Sequence, residues 1–237
     1  MTHTSAKERL YLYDTTLRDG QQTQGVQFAT VEKRQIAAAL DALGVDYIEG
    51  GWPGANPTDS EFFAHAPQTR ARMTAFGMTK RIGRSAENDD VLAAVLDAGT
   101  PAVCLVGKTH DFHVRTALGA TLDENLDAIG TSIAHCVAKG REALFDAEHF
   151  FDGYEADSAY ALDTLRAARD AGASTLVLCD TNGGTLTNRM SEIVRDARAK
   201  LAADKGARDV VWGIHSHNDA ELAVANALAA VDAGVRH

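Results

Sequence analysis

The sequence predicts an α/β protein on a TIM (β/α)8 barrel, truncated after the seventh β/α unit. Three observations predict it. Short apolar runs rich in β-branched residues recur roughly every 25–40 residues, far enough apart for a helix and a return. Segments of helical periodicity lie between them. The polar residues able to do chemistry fall just past the ends of the apolar runs, where a parallel barrel gathers its active site.

The elements follow in order. The first run, Leu10–Tyr13, leads into Asp14-Thr15-Thr16-Leu17-Arg18-Asp19-Gly20. No GxGxxG follows it, which disfavours the other parallel architecture, the doubly wound sheet. Val31–Leu43 places Ile36, Leu40 and Leu43 on one helical face. The next runs are Tyr47–Gly50, Met73–Gly77 and Ala102–Val106. Thr121 and Glu124 form a capping box that opens a helix over Leu122–Val137. Ala143–Asp146, Thr175–Cys179 and Val210–Ile214 complete the strands, with helical patterns over Ala159–Ala171, Asn188–Ala202 and Glu221–Ala233. Four near copies of Asp-Ala-Gly close helices at Gly44, Gly99, Gly172 and Gly234, where glycine suits a left-handed C-terminal cap. The sequence reaches His237 where an eighth strand is due. Residues 1–237 therefore read as one catalytic barrel domain without its eighth strand or any C-terminal subdomain.

Composition narrows the function. The chain has 237 residues, 45% apolar and 24% charged, which excludes disordered and collagen-like classes. Its net charge of -10 disfavours nucleic acid and anionic membrane as partners, though not a small anion held by local cations. The three cysteines are far apart and form no CxxC, which fits a reduced, cytoplasmic setting better than a disulfide framework. The stretch Met1–Arg9 is polar, and no run of 18 apolar residues occurs, so neither secretion nor a membrane span is expected.

The candidate chemistry starts at His215-Ser216-His217. Residues two apart on a strand share a face, so two imidazoles there can share one metal ion. Strands one and seven of such a barrel are separated only by strand eight, which brings Asp19 within reach of the same ion. Two imidazoles and a carboxylate suit Mg²⁺, Mn²⁺ or Zn²⁺. Arg18 is an always-charged fork beside that ion, suited to an anionic oxygen. Each piece has a plainer reading: a solvated loop pair for the histidines, a surface ion pair for Arg18-Asp19. Glu49 ends strand two, and Gly50-Gly51-Trp52-Pro53-Gly54 is too rigid for an idle linker, though a structural turn accounts for it too. Lys80 and Lys108 add positive potential at the mouth if they face it. Glu148-His149 follows strand five. Asp180-Thr181-Asn182-Gly183-Gly184 follows strand six, and ordinary turn chemistry also explains it. Together these features read as a metal-dependent barrel enzyme for a small anionic substrate. Amidohydrolase barrels share His-x-His but carry it after strand one, the reverse of the order here.

At these residues the chain resembles the family of 2-isopropylmalate, homocitrate and citramalate synthases, in the wider group with HMG-CoA lyase and pyruvate carboxyltransferase domains. Tyr13–Gly20 and His215–Asp219 carry the likeness. Glu49–Pro57, Glu148–Gly153 and Cys179–Gly184 resemble the citramalate synthase branch. The resemblance covers nearly the whole chain. It implies an acyltransferase that condenses acetyl-CoA with pyruvate to (R)-citramalate and CoA, towards isoleucine. It implies a divalent metal on Asp19, His215 and His217, with Mg²⁺ or Mn²⁺ ahead of Zn²⁺. It also implies Arg18 on the ketone, Thr181 on the carboxylate, Glu148 in proton transfer beside the acetyl methyl, and a homodimer. Gln21 departs from the Ala or Glu usual there, beside the metal ligand, where it can tune substrate fit. Alternatives are a sister 2-oxo acid synthase, a carbon–carbon lyase, or a non-catalytic remnant lacking the eighth strand.

Overall fold

The computed structural model describes residues 8–237, so all of the polar stretch Met1–Arg9 but its last two residues lies outside the described residues. Seven parallel strands stand side by side in sequence order. They are β1 (Tyr13–Asp14), β2 (Tyr47–Gly51), β3 (Arg72–Met78), β4 (Ala102–Lys108), β5 (Glu142–Glu148), β6 (Thr175–Asp180) and β7 (Val211–Ser216). The helices are α1 (Thr30–Leu43), α2 (Pro57–Ala64), α3 (Asp90–Asp97), α4 (Asp111–His113), α5 (Leu122–Ala138), α6 (Phe150–Ala156), α7 (Ser158–Asp170), α8 (Thr187–Ala202) and α9 (Ala223–Asp232). Strand order that never reverses, with a helix after each strand from β2 onward, is the winding of a (β/α)8 barrel. A doubly wound sheet reverses its order at a switch point.

Local chemistry explains the boundaries. Gly44, Gly99, Gly172 and Gly234 take φ of 93°, 70°, 109° and 98°, so each Asp-Ala-Gly copy ends its helix through a left-handed residue. The Thr121 hydroxyl accepts from Glu124 N at 3.2 Å, and Thr121 N donates back to the Glu124 carboxylate at 2.8 Å. β1 is shorter than the apolar run Leu10–Tyr13. Leu12 N donates instead to the Asp46 carboxylate at 2.9 Å, and Tyr11 N donates to Arg236 O at 2.7 Å. The helices α2, α3, α4 and α6 were not expected from periodicity, because eight residues or fewer span about two turns and leave no repeating face.

The core has two shells. Outward-facing strand residues such as Ile48, Leu105 and Phe145 pack against Ile129, Leu165 and Ile193 of the helices. Inside the barrel, Tyr47, Phe76, Cys104 and Leu144 form a separate cluster. The two glycines that end β2 are forced by packing. A Cβ on Gly50 would lie 2.6 Å from Phe62, and one on Gly51 2.4 Å from Asp59. Helix α2 thus sits too close to β2 for any side chain there.

The last residues of the chain reach the position of an eighth strand. Arg236 N and His237 N donate to Trp212 O, and Ile214 N donates to His237 O, while Arg236 O accepts from Tyr11 N. The His237 ring lies against Tyr13 and Tyr47, at centroid distances of 5.3 and 4.8 Å. Above this bridge, β1 and β7 flank a cavity of about 360 Å³. All three cysteines are buried and free. Among the described residues, no helix is long and apolar enough to cross a membrane.

Candidate active site

Strand geometry delivers side chains in pairs. β3 contributes Phe76 and Met78, β4 Val106 and Lys108, and β5 Asp146 and Glu148. At β6 the pair is Cys179 and Thr181, at β7 His215 and His217, the second member lying just past the strand. Residues two apart share a face. All of these pairs line one cavity of about 230 Å³, together with Arg18, Asp19 and Trp52. The residues expected from sequence to carry chemistry, Arg18, Asp19, Glu148, Thr181, His215 and His217, are all at this cavity.

Asp19 is the hub. Its Oδ2 lies 3.5 Å from both His215 Nε2 and His217 Nε2. Donors about 2.1 Å from a common ion stand about 3–3.5 Å apart, so the three groups fit a divalent cation and leave its remaining positions open to the cavity. The two imidazoles, then Arg18, hold the Asp19 carboxyl well below the usual carboxylate range despite its burial. Partial burial of His215 opposes its charge, yet Asp146 and Asp19 raise its pKa well above the ordinary value.

Arg18 is fixed from three sides. Its Nε donates to Glu49 Oε2 at 2.6 Å, its Nη1 reaches Asp19 Oδ1 at 3.1 Å, and its guanidinium lies 3.9 Å from the centre of the Phe76 ring. Burial opposes its charge, but Glu49, Asp146 and Asp19 outweigh that and raise its pKa. Tyr13 donates to the other Glu49 oxygen at 2.7 Å. Burial pushes the Glu49 carboxyl up, against the pull of Arg18 and Tyr13.

The opposite wall carries Lys108, whose ammonium lies 2.5 Å from Glu148 Oε2. The Thr181 hydroxyl accepts from His149 N at 2.8 Å, which leaves its O–H free to donate into the cavity. His149 supplies that amide from a left-handed turn, φ 57°, a conformation a histidine rarely takes. Among the described residues, three carboxylates line the cavity, Asp19, Asp146 and Glu148, against two cations, Arg18 and Lys108. With both imidazoles neutral the lining is net negative, which favours a cation there.

Two expectations change. Lys80 does not face this mouth; its ammonium donates to Asp127 Oδ2 at 2.9 Å and to Arg84 O at 3.0 Å. Gln21 turns away to Asp59, 3.2 Å from Oδ1, and Gln22 lines the cavity instead. Sequence reading missed Asp146 and Phe76. Both sit inside apolar runs, and the signal that could have found Asp146 is its spacing of two from Glu148.

The chain belongs to the HMGL-like family, which it matches over residues 9–237. Within that family it is 48% identical over 242 residues to the (R)-citramalate synthase of Streptomyces coelicolor, covering 100% of this chain and 44% of that protein. It is 33% identical over 229 residues to the 2-isopropylmalate synthase of Listeria innocua, covering 97% of this chain and 43% of that protein. The chain thus spans less than half the length of these relatives. The hydroxymethylglutaryl-CoA lyase of Pseudomonas aeruginosa shares the fold, with a TM-score of 0.76 over 96% of this chain and 74% of that one at 18% identity.

Proposed function

We propose that the protein carrying this chain is a citramalate synthase, condensing acetyl-CoA with pyruvate and water to give (R)-citramalate and CoA, in isoleucine biosynthesis. The observation that carries this reading is the meeting of Asp19, His215 and His217 with Arg18, Thr181 and Glu148 around one cavity. The closer identity to a citramalate synthase than to a 2-isopropylmalate synthase supports pyruvate over longer 2-oxo acids. Asp19, His215 and His217 would hold Mg²⁺ or Mn²⁺, with Zn²⁺ as the further option. Bound there, the ion supplies Lewis acidity to the ketone of the 2-oxo acid.

The chain's own residues do the rest. The Thr181 O–H donates to the pyruvate carboxylate. Arg18 donates to the ketone oxygen, where negative charge grows as the bond forms. Glu148 takes a proton from the acetyl methyl, which is too weakly acidic to lose one without a placed base. The methyl carbon bonds the ketone carbon, the resulting oxyanion takes up a proton, and water cleaves the thioester to release CoA. Lys108 orients Glu148 through their ion pair. We read residues 1–237 as one catalytic domain of a cytoplasmic homodimer, on the resemblance, the acidic charge and the reduced cysteines.

Thiol release is the test. With acetyl-CoA and a divalent ion present, CoA is expected to appear with pyruvate and much more slowly with 2-oxoisovalerate or 2-oxoglutarate. Equal rates move the assignment to a sister synthase, and no release with any 2-oxo acid rejects the class. Asp19→Ala is expected to abolish turnover while leaving the fold intact by circular dichroism; full activity would reject the metal site.

A further inference from the structure

We propose that Asp146 is a positioning residue that accepts the Nδ1 proton of His215 and so keeps the Nε2 lone pair of that ring aimed at the metal position. The inference rests on the metal reading above. The His215 ring lies between two carboxylates. Its Nε2 is 3.5 Å from Asp19 Oδ2, and its Nδ1 is 3.7 Å from Asp146 Oδ2. A neutral imidazole carries one proton, and a nitrogen that ligates a metal must offer its lone pair. Ligation through Nε2 therefore requires the proton on Nδ1, and that N–H requires an acceptor.

Asp146 is the acceptor the barrel supplies. A movement of about half an ångström by either side chain brings the pair to hydrogen-bond length. The other neighbour on that side is Cys179, whose thiol is pushed up to about 12 by burial and is a weak acceptor. His217 has no such need. Its side chain is 33% exposed against 19% for His215, so water can satisfy its second nitrogen.

Stability does not explain Asp146. It is only 6% exposed, and among the described residues its one ion-pair partner within 4.0 Å is His215. A buried carboxylate with no lysine or arginine in direct ion-pair contact is costly, and an apolar side chain like that of Leu144, two residues earlier on the strand, would pack there more favourably. Partners that orient a ligating histidine are the usual reason such a group is kept.

The test measures metal affinity rather than turnover. Mn²⁺ alone is titrated into wild type, Asp146→Asn, Asp146→Ala and Asp19→Ala, with folding checked by thermal denaturation. Asp146→Asn, which keeps an acceptor oxygen, is expected to weaken Mn²⁺ binding about 10-fold, and Asp146→Ala about 100-fold. In the Mg²⁺-loaded protein, the His215 Nδ1 proton is expected as a slowly exchanging downfield NMR resonance that Asp146→Ala removes. Folded Asp146 variants that bind Mn²⁺ as wild type does, while Asp19→Ala does not bind it, overturn the role of Asp146 alone. If Asp19→Ala also binds Mn²⁺ unchanged, the metal reading has failed and the inference falls with it.

Discussion

At the scale of single residues, the most consequential contact outside the cavity is the buried pair of Lys33 and Asp59. Their side chains are 0% and 3% exposed. Asp59 also accepts from Trp52 N at 2.9 Å, so this carboxylate anchors the backbone of a cavity-lining residue. Removing one partner of a buried pair leaves an uncompensated charge. Lys33→Met is therefore expected to cost about 3 kcal/mol, read from the urea midpoint, and a loss under 1 kcal/mol would contradict it. Nothing local announces this pair. Lys33 sits on α1 and Asp59 on α2, and either reads alone as a solvated helix residue. Asp19, His215 and His217 were legible for the opposite reason. Their residue types are metal ligands, and the barrel order brings their strand ends together.

Among the elements, α3 shows how little sequence a helix needs when its start is well capped. Asp89 Oδ1 accepts from Val91 N at 3.0 Å and Leu92 N at 2.9 Å, and its Oδ2 accepts from Arg81 N at 2.9 Å. Burial opposes its charge, but these three amides hold the carboxyl below the usual range. A carboxyl with a lowered folded pKa contributes stability that is full above its unfolded value of about 4 and is lost as pH falls through the folded value. Asp89→Ala is therefore expected to cost about 1–2 kcal/mol at pH 7, with the gap from wild type closing below about pH 4. A gap independent of pH would assign the loss to packing. Caps and turns mark where α3 begins, yet eight residues are too few for periodicity to show. The long helices α5 and α8 were legible because 17 and 16 residues repeat an apolar face several times.

At the scale of the whole molecule, the barrel winding was readable because each strand-then-helix unit repeats the same punctuation. The start of an eighth strand was not, since Arg236-His237 is two polar residues with no apolar run. Their pairing comes from the unsatisfied backbone of Trp212, Ile214 and Tyr11, which only the assembled sheet brings near. The amides of Tyr11 and Ile214 are expected to exchange with deuterium at a common rate, slower than exposed loop amides. Fast exchange at Tyr11 alone would show that the bridge is not held in solution.

That bridge also sets an order of events during synthesis. Arg236 pairs with Glu8, 228 positions earlier in the chain, while strands β1 to β7 pair neighbour by neighbour. A nascent chain can therefore lay down its strands as each one emerges from the ribosome. The contact between Glu8 and Arg236 waits until Arg236 has cleared the exit tunnel. Through that interval the rim of β1 is bare, and the span of chain to be joined makes this step slow. The moment of greatest risk from stray strands of neighbouring polypeptides thus falls just before Arg236 emerges.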